Sequence, residues 1–344
     1  MLIAVLMACD NNNKQKYPYA IRDFDKSLQP YLIELVTKGI LGRVDSVTSY
    51  IQKKTSIAEL KKLTLSEHPI LRVVAVLGLL NRKEVDPFEI LMSHLDDTAL
   101  ITTGGGEFGY SLEKVSEVII RSGTWASAAQ RQITIDKIIA EHNYLRSAYS
   151  KVASLEPLEK YYSHVKKMAG AKRQENEDIE NALYALAKYK KKEDVLFIKD
   201  QFKQWHVHPE ATSFQLMREY PQEVYFEFLQ SHFDYYLNFM PHLRFRIYWN
   251  QFFETVSVYK NKEAAAMLAK GLEWLNDEGL HPQDISRYKE TIIYAIWNNE
   301  CDAYKELRKK ITPEYLAMEK KKAGYGKIKV IKHPPTDPKV DWWD

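Results

Sequence analysis

The sequence predicts an all-α fold of the α-solenoid type, an α-α superhelix made of stacked helix pairs. Three observations point there. Gly and Pro number 13 each among 344 residues, about 4% apiece against typical values of ~7% and ~5%. That is too few turn residues for a sandwich or barrel of many short strands. From Tyr31 onward the apolar residues recur almost throughout at helical spacing. Acidic residues then mark a series of short polar turns at intervals suited to two helices per repeat. The length fits roughly two domains or one elongated array.

The chain opens with MLIAVLMACDNNN, an apolar run from Leu2 to Ala8, then Cys9 and a polar spacer. Leu6-Met7-Ala8-Cys9 resembles the lipobox of bacterial lipoproteins, in which the cysteine thiol is acylated and becomes the mature N-terminus. Met7 and the lack of a Lys or Arg before the apolar run are departures from that pattern. The resemblance implies a lipid on Cys9, a signal remnant over residues 1–9 and a polar tether over 10–30. The alternative is a cytosolic first helix that buries Cys9. A helical-repeat domain is expected over 31–322 and an extended or disordered basic tail over 323–344.

The clearest helical pair runs from Ser66 to Leu95. Pro69 suits a first helical turn, where a missing N–H costs nothing. Asp86 can cap a second helix with Pro87 at its first position. Phe88, Leu91, Met92 and Leu95 form that helix's stripe, and neither helix can bury its face alone. Within the first helix, Arg72-Val-Val-Ala75-Val-Leu-Gly78-Leu79 resembles the second-helix pattern of HEAT repeats, where an Arg precedes small residues that let helices approach closely. The family usually places an Asp six residues before that Arg, and here Ser66 occupies the place, next to Glu67. Ala182-Leu-Tyr-Ala185-Leu186 keeps the small residues but has Ile179 in place of the Arg. The resemblance implies a binding scaffold.

Four later segments repeat the pattern of helix, polar turn and helix, starting at Asn181, Phe214, Phe253 and Ile292. Their turn acids Glu193, Glu223, Glu263 and Asp302 lie 30, 40 and 39 residues apart. Glu156 and Glu84 extend the series backward, and a non-repetitive helical bundle is the competing arrangement.

Few patterns suggest chemistry. Gly104-Gly105-Gly106-Glu107-Phe108-Gly109 satisfies G-x-G-x-x-G, between a strand-like stretch from Ala99 to Thr103 and an expected helix from Ser111. No βαβ unit or ribose-binding acid accompanies it, so it reads as a loop between helices. His206, His208 and Glu210 could offer metal ligands, but two ligands in a Pro-containing loop read more simply as surface histidines, and His94 with Asp96 and Asp97 reads as a helix end. Cys301 reads as an inert thiol on an apolar helix. Two cysteines exclude a disulfide framework and a four-thiolate zinc site. No metal, cofactor or catalytic residue is expected.

Residues 205–259 hold sixteen aromatics and four of the ten histidines. Tyr225, Phe228, Leu229, His232, Tyr236 and Phe239 share one helical face, which suggests core. The excess suggests a ligand-binding groove lined by Trp205, Tyr235, Tyr248 and Trp249, with His206 and His208 at its rim. Lys305 to Lys332 carries ten basic and three acidic residues. The net charge of the whole chain is only +3, which argues against duplex DNA as partner. The sequence therefore predicts a non-catalytic, membrane-anchored scaffold for a protein, peptide or glycan partner in the periplasm or at the cell surface. The runner-up is a cytosolic HEAT-like nucleic-acid-binding protein or a glycosylase-type enzyme.

Overall fold

A computed structural model describes residues 16–42, 46–104, 109–122, 127–172, 176–202, 211–239, 249–274 and 282–322. Cys9, Trp205, His206, His208, Tyr248 and the tail from 323 lie outside them. Tyr235 and Trp249 sit in helices, but their side chains also lie outside the described part. The fold is all-α: 18 α-helices, three short 3₁₀ turns and one small sheet make up the described elements. Contacts divide the chain into two compact units, Met1–Lys151 and Val152–Asp344, where one continuous repeat domain was expected.

The first unit holds α1 (Gln29–Lys38), β1 (Ile40–Leu41), α2 (Ser46–Lys54), α3 (Ile57–Leu63), α4 (Pro69–Leu80), α5 (Pro87–His94), β2 (Leu100–Gly104), β3 (Tyr110–Lys114), α6 (Val115–Arg121) and α7 (Ala128–Glu141). The unit boundary falls inside α8 (Arg146–Ser154). Helix α4 is its centre. Pro69 opens α4 as expected, and the helix is apolar on nearly every side, with Leu71, Val73, Val74, Ala75, Val76 and Leu79 buried. A helix of that kind must be enclosed by neighbours, and α1, α2, α3, α5 and α6 all pack on it. Asp86 caps α5 by accepting the Phe88 N–H at 2.9 Å. Gly78 is buried where α4 crosses α2: a Cβ there would lie 3.2 Å from Gln52 Cα and 3.3 Å from Leu60 Cδ2.

Two expectations for this unit are corrected. The polar tether does not extend to residue 30, because Tyr17, Phe24 and Leu28 are buried in the unit's core. Their rings and methyls outweigh the polar residues around them. Nor does a helix begin at Ser111. Residues 110–114 form β3, antiparallel to β2, and the helix starts only at Val115.

The second unit continues with α9 (Glu159–Ala169), α10 (Asn176–Ala187), α11 (Val195–Phe202), α12 (Ala211–Glu219), α13 (Glu223–Phe239), α14 (Trp249–Ser257), α15 (Lys262–Trp274), α16 (Pro282–Asn298), α17 (Lys305–Lys310) and α18 (Pro313–Lys322). Alternate helices form a row: α10 packs on α12, α12 on α14, α14 on α16 and α16 on α18. Four of the expected turn acids stand at the start of a helical segment, whereas Glu84 and Glu156 lie in the turns that precede α5 and α9. Glu193 and Asp302 lie in 3₁₀ turns before α11 and α17, Glu223 opens α13, and Glu263 is in the first turn of α15. The repeat is visible in the backbone too. Tyr189-Lys-Lys-Lys-Glu193 and Tyr259-Lys-Asn-Lys-Glu263 both end a helix with a left-handed lysine, Lys190 at φ 54° and Lys260 at φ 55°.

Polar side chains tie one helix end to the next. In the first unit Arg82 donates to the carbonyls of Gln52 and Thr55 at the end of α2 (2.9 and 3.1 Å). In the second, Lys188 donates to Ala153 and Leu155 (3.3 and 2.5 Å), and the Tyr304 hydroxyl donates to Ser257 O at 2.9 Å. Such donors satisfy carbonyls that a helix end leaves unpaired.

The described aromatics of the 205–259 stretch are mostly core. Phe214, Tyr225, Phe226, Phe233, Phe252 and Phe253 are buried, with Phe214–Phe252 and Phe202–Tyr225 meeting edge to face at 5.8 and 5.3 Å. Tyr225, Leu229 and His232 are buried together on α13 as the helical projection expects. Cys301 is not on an apolar helix. It is half-buried in the turn after α16, because the helix ends at Asn298.

A rooted β-hairpin as candidate interaction surface

Leu100-Ile-Thr-Thr-Gly104 is rich in β-branched residues and Tyr110-Ser-Leu-Glu alternates apolar and polar residues, with glycines between them, the pattern of a hairpin. They pair antiparallel, Leu100 opposite Lys114 and Gly104 opposite Tyr110, and β1 adds in parallel with Ile40 opposite Thr102. Gly104 has φ +102° and Gly109 φ +72°. A Cβ on Gly104 would come within 2.6 Å of Gly109 O, so only glycine fits. These residues of the G-x-G-x-x-G pattern thus serve to close a hairpin.

The inner face of the hairpin is tied down. Ile101 and Thr103 are buried, the Thr103 hydroxyl donates to the Glu113 carboxylate, and Arg121 forms an ion pair with Glu113 at 2.5 Å. Burial pushes the Glu113 carboxyl up, but the contacts with Arg121 and Thr103 overcome it and hold the group below its ordinary value.

The root of the hairpin is a buried charge cluster. Arg72 Nε and Nη2 donate to Asp97 Oδ2 and Oδ1 at 2.7 and 2.9 Å, and both side chains are 1% exposed. Arg72 Nη1 donates to Ser66 O at 2.8 Å. The Tyr17 ring covers the guanidinium 3.8 Å from its carbon, and His94 stacks beyond it with centroids 6.5 Å apart. Burial raises the Asp97 carboxyl, but His94, the Arg72 hydrogen bonds and charge, and the Ala99 N–H bring it down to about 2. Burial and the Asp97 charge push the Tyr17 hydroxyl well above the usual tyrosine range. Asp97 O also accepts the Ser116 N–H at 3.0 Å, and Ala99 O accepts Val115 N–H at 2.9 Å. Both ends of the hairpin are therefore fastened at one buried residue.

Its outer face is more open to solvent. Leu100, Tyr110 and Leu112 share that face by register and are 58%, 68% and 70% exposed. Scattered exposed apolar residues are ordinary, but three on one rigid hairpin form a patch suited to recognition.

Of the residues weighed from sequence, Asp97 and His94 come together, 3.8 Å apart, but in a structural cluster with Arg72. Among the described residues no group of three His, Cys, Asp or Glu could hold a metal ion. A cavity of about 10 Å³ beside Tyr161 and Tyr189 in the second unit has room for one water. Sequence reasoning missed Tyr17, Leu100, Tyr110 and Leu112. The alternation from Tyr110 to Glu113 after Gly109 was the available signal for Tyr110 and Leu112.

The described chain defines its class as an all-α protein of paired helices that carries one rooted β-hairpin. No protein family, curated protein or solved structure matches it in the comparisons.

Proposed function

We propose that this protein is a non-catalytic, helical-repeat scaffold, held at the bacterial cell envelope by a lipid on Cys9, that captures a protein partner. The observation that carries the reading is the hairpin: an apolar outer face on a hairpin whose root is locked by Arg72 and Asp97. Preorganisation of this kind lowers the ordering cost of binding. Tyr110 offers large apolar area with a polar tip and few torsions to fix. The helix rows fit the HEAT-like arrangement, in which stacked pairs present extended surfaces. The aromatic and histidine residues Trp205, Tyr235, Tyr248, Trp249, His206 and His208 would add a second contact area. No described helix is long and apolar enough to cross a membrane; in this reading the lipid on Cys9 supplies the anchorage. A single chain binds membranes only marginally, whereas diacylation suffices for stable anchoring.

The test combines address and contact. A photo-reactive phenylalanine replaces Tyr110 in cells fed a fatty-acid analogue. The expected result is an acylated chain that cross-links to an envelope protein, with both label and cross-link lost in Cys9→Ser. A chain without label, recovered from the cytosol, overturns the address. Cross-linking to peptidoglycan alone replaces the protein partner with a glycan.

A further inference from the structure

We infer that the outer edge of β3 is a self-association site, at which a second copy of this chain adds its own β3 antiparallel about a two-fold axis at Leu112. This inference rests on the geometry of the strand and is independent of the envelope reading. Val115 N–H donates to Ala99 O at 2.9 Å, which makes that pair a hydrogen-bonded one. Bonded and non-bonded pairs alternate along an antiparallel ladder. Glu113 and Ser111 therefore direct their backbone groups toward β2, and Tyr110, Leu112 and Lys114 direct theirs outward. The sheet order is β1-β2-β3, so among the described residues no strand pairs that outer edge.

Protein edges are usually blunted by Pro, a bulge or an exposed Lys. β3 has no Pro, and its register with β2 runs unbroken from Tyr110 to Lys114. Its lysine is turned aside: Lys114 Nζ lies 5.0 Å from the centre of the Tyr144 ring. The strand Tyr110-Ser-Leu-Glu-Lys114 is also complementary to itself in one register. With Leu112 on the axis, all five residues are paired. Leu112 meets Leu112, Tyr110 meets the stem of Lys114, and Ser111 meets Glu113, so no charge faces its like. A shift that centres Glu113 would oppose two carboxylates, which is destabilising. In the favoured register each outward-facing residue donates and accepts one hydrogen bond across the axis. The same patch on both copies is what a closed two-fold dimer requires.

The test uses the full chain carrying Cys9→Ser, so that no lipid drives association. Sedimentation velocity across a wide concentration range is expected to show a monomer–dimer equilibrium. Leu112→Lys places two ammonium groups on the axis and is expected to weaken it about tenfold or more. Leu112→Pro removes an outward N–H that β2 does not use, and is expected to do the same. Hydrogen exchange on the unmutated strand supplies a readout independent of any variant's folding. Protection of the Tyr110, Leu112 and Lys114 amides is expected to rise with concentration, while Ser111 and Glu113 stay protected throughout. A chain that remains monomeric, or a dimer that both variants leave intact without concentration-dependent protection of β3, overturns the proposal.

Discussion

The two units solve the same problem, joining successive helices through polar groups, with opposite exposure to water. In the first, Arg72 and Asp97 are both 1% exposed and hold each other. In the second, Asp194 is equally buried, but its partner Lys166 is 41% exposed, and the Tyr162 hydroxyl donates to the same carboxylate at 2.9 Å. Removing one charge therefore has different consequences. In the first unit the surviving guanidinium loses its carboxylate in a low-dielectric site, whereas in the second the buried Asp194 carboxylate keeps the Tyr162 hydroxyl as a donor. The rigid, charged root belongs to the unit that carries the hairpin.

The largest expected effect breaks this contrast at its sharper end. Asp97→Ala leaves the Arg72 guanidinium buried without its carboxylate and is expected to cost the first unit about 3–5 kcal/mol. Hydrogen exchange read unit by unit should show protection collapsing in α4 and the hairpin while the second unit holds. Lys166→Met removes the half-exposed member and leaves Asp194 with the Tyr162 hydroxyl, so it should cost less than Asp97→Ala; equal losses would erase the distinction. The same carboxylate predicts an acid response. Its folded value is depressed to about 2 from 3.8, so its contribution is complete above the ordinary value and is lost as pH falls through about 2. An acid titration should therefore take protection from the hairpin root over that window.

Smaller effects sharpen the comparison at helix contacts. Gly78→Phe is expected to overpack the α2–α4 crossing and cost ~1–3 kcal/mol or more, seen as a lowered Tm of the first unit. Tyr304→Phe removes a buried donor to Ser257 O in the second unit and should cost about 0.5–1.5 kcal/mol by denaturant titration. The smallest has the opposite sign. Lys260 sits at φ 55°, so Lys260→Gly relieves a left-handed lysine and should stabilise by roughly 0.5–1 kcal/mol. A loss instead would mean that the lysine side chain contributes more than its strained backbone costs.

The helical class and the starts of α4 and α5 were legible because their causes are local. Pro69 and Pro87 open their helices at the first position, and Asp86 supplies the cap from one residue away. The turn acids from Glu193 to Asp302 were legible for the same reason. Gly78 was legible as a close contact because small residues at helical spacing leave room for a neighbour. The candidate surface was not. Glycine-rich runs serve loops and hairpins alike, and the residues after Gly109 have no helical stop signal to tell a strand from a helix.

The sequence by itself determined helix type, the starts of α4 and α5 and the buried face of Tyr225, Leu229 and His232 on α13, since a helix closes its hydrogen bonds within four residues and shows its buried face as a period. Only the tertiary structure decided which carboxylate answers Arg72. Glu67 stood nearby in sequence, yet it and Ser66 offer only backbone carbonyls, and the carboxylate is that of Asp97, 25 residues on. It likewise decided that Tyr17 is core and that residues 110–114 are a strand. A strand's hydrogen bonds, and a buried charge's need for a partner, are satisfied by groups distant along the chain, and no local pattern records which ones they will be.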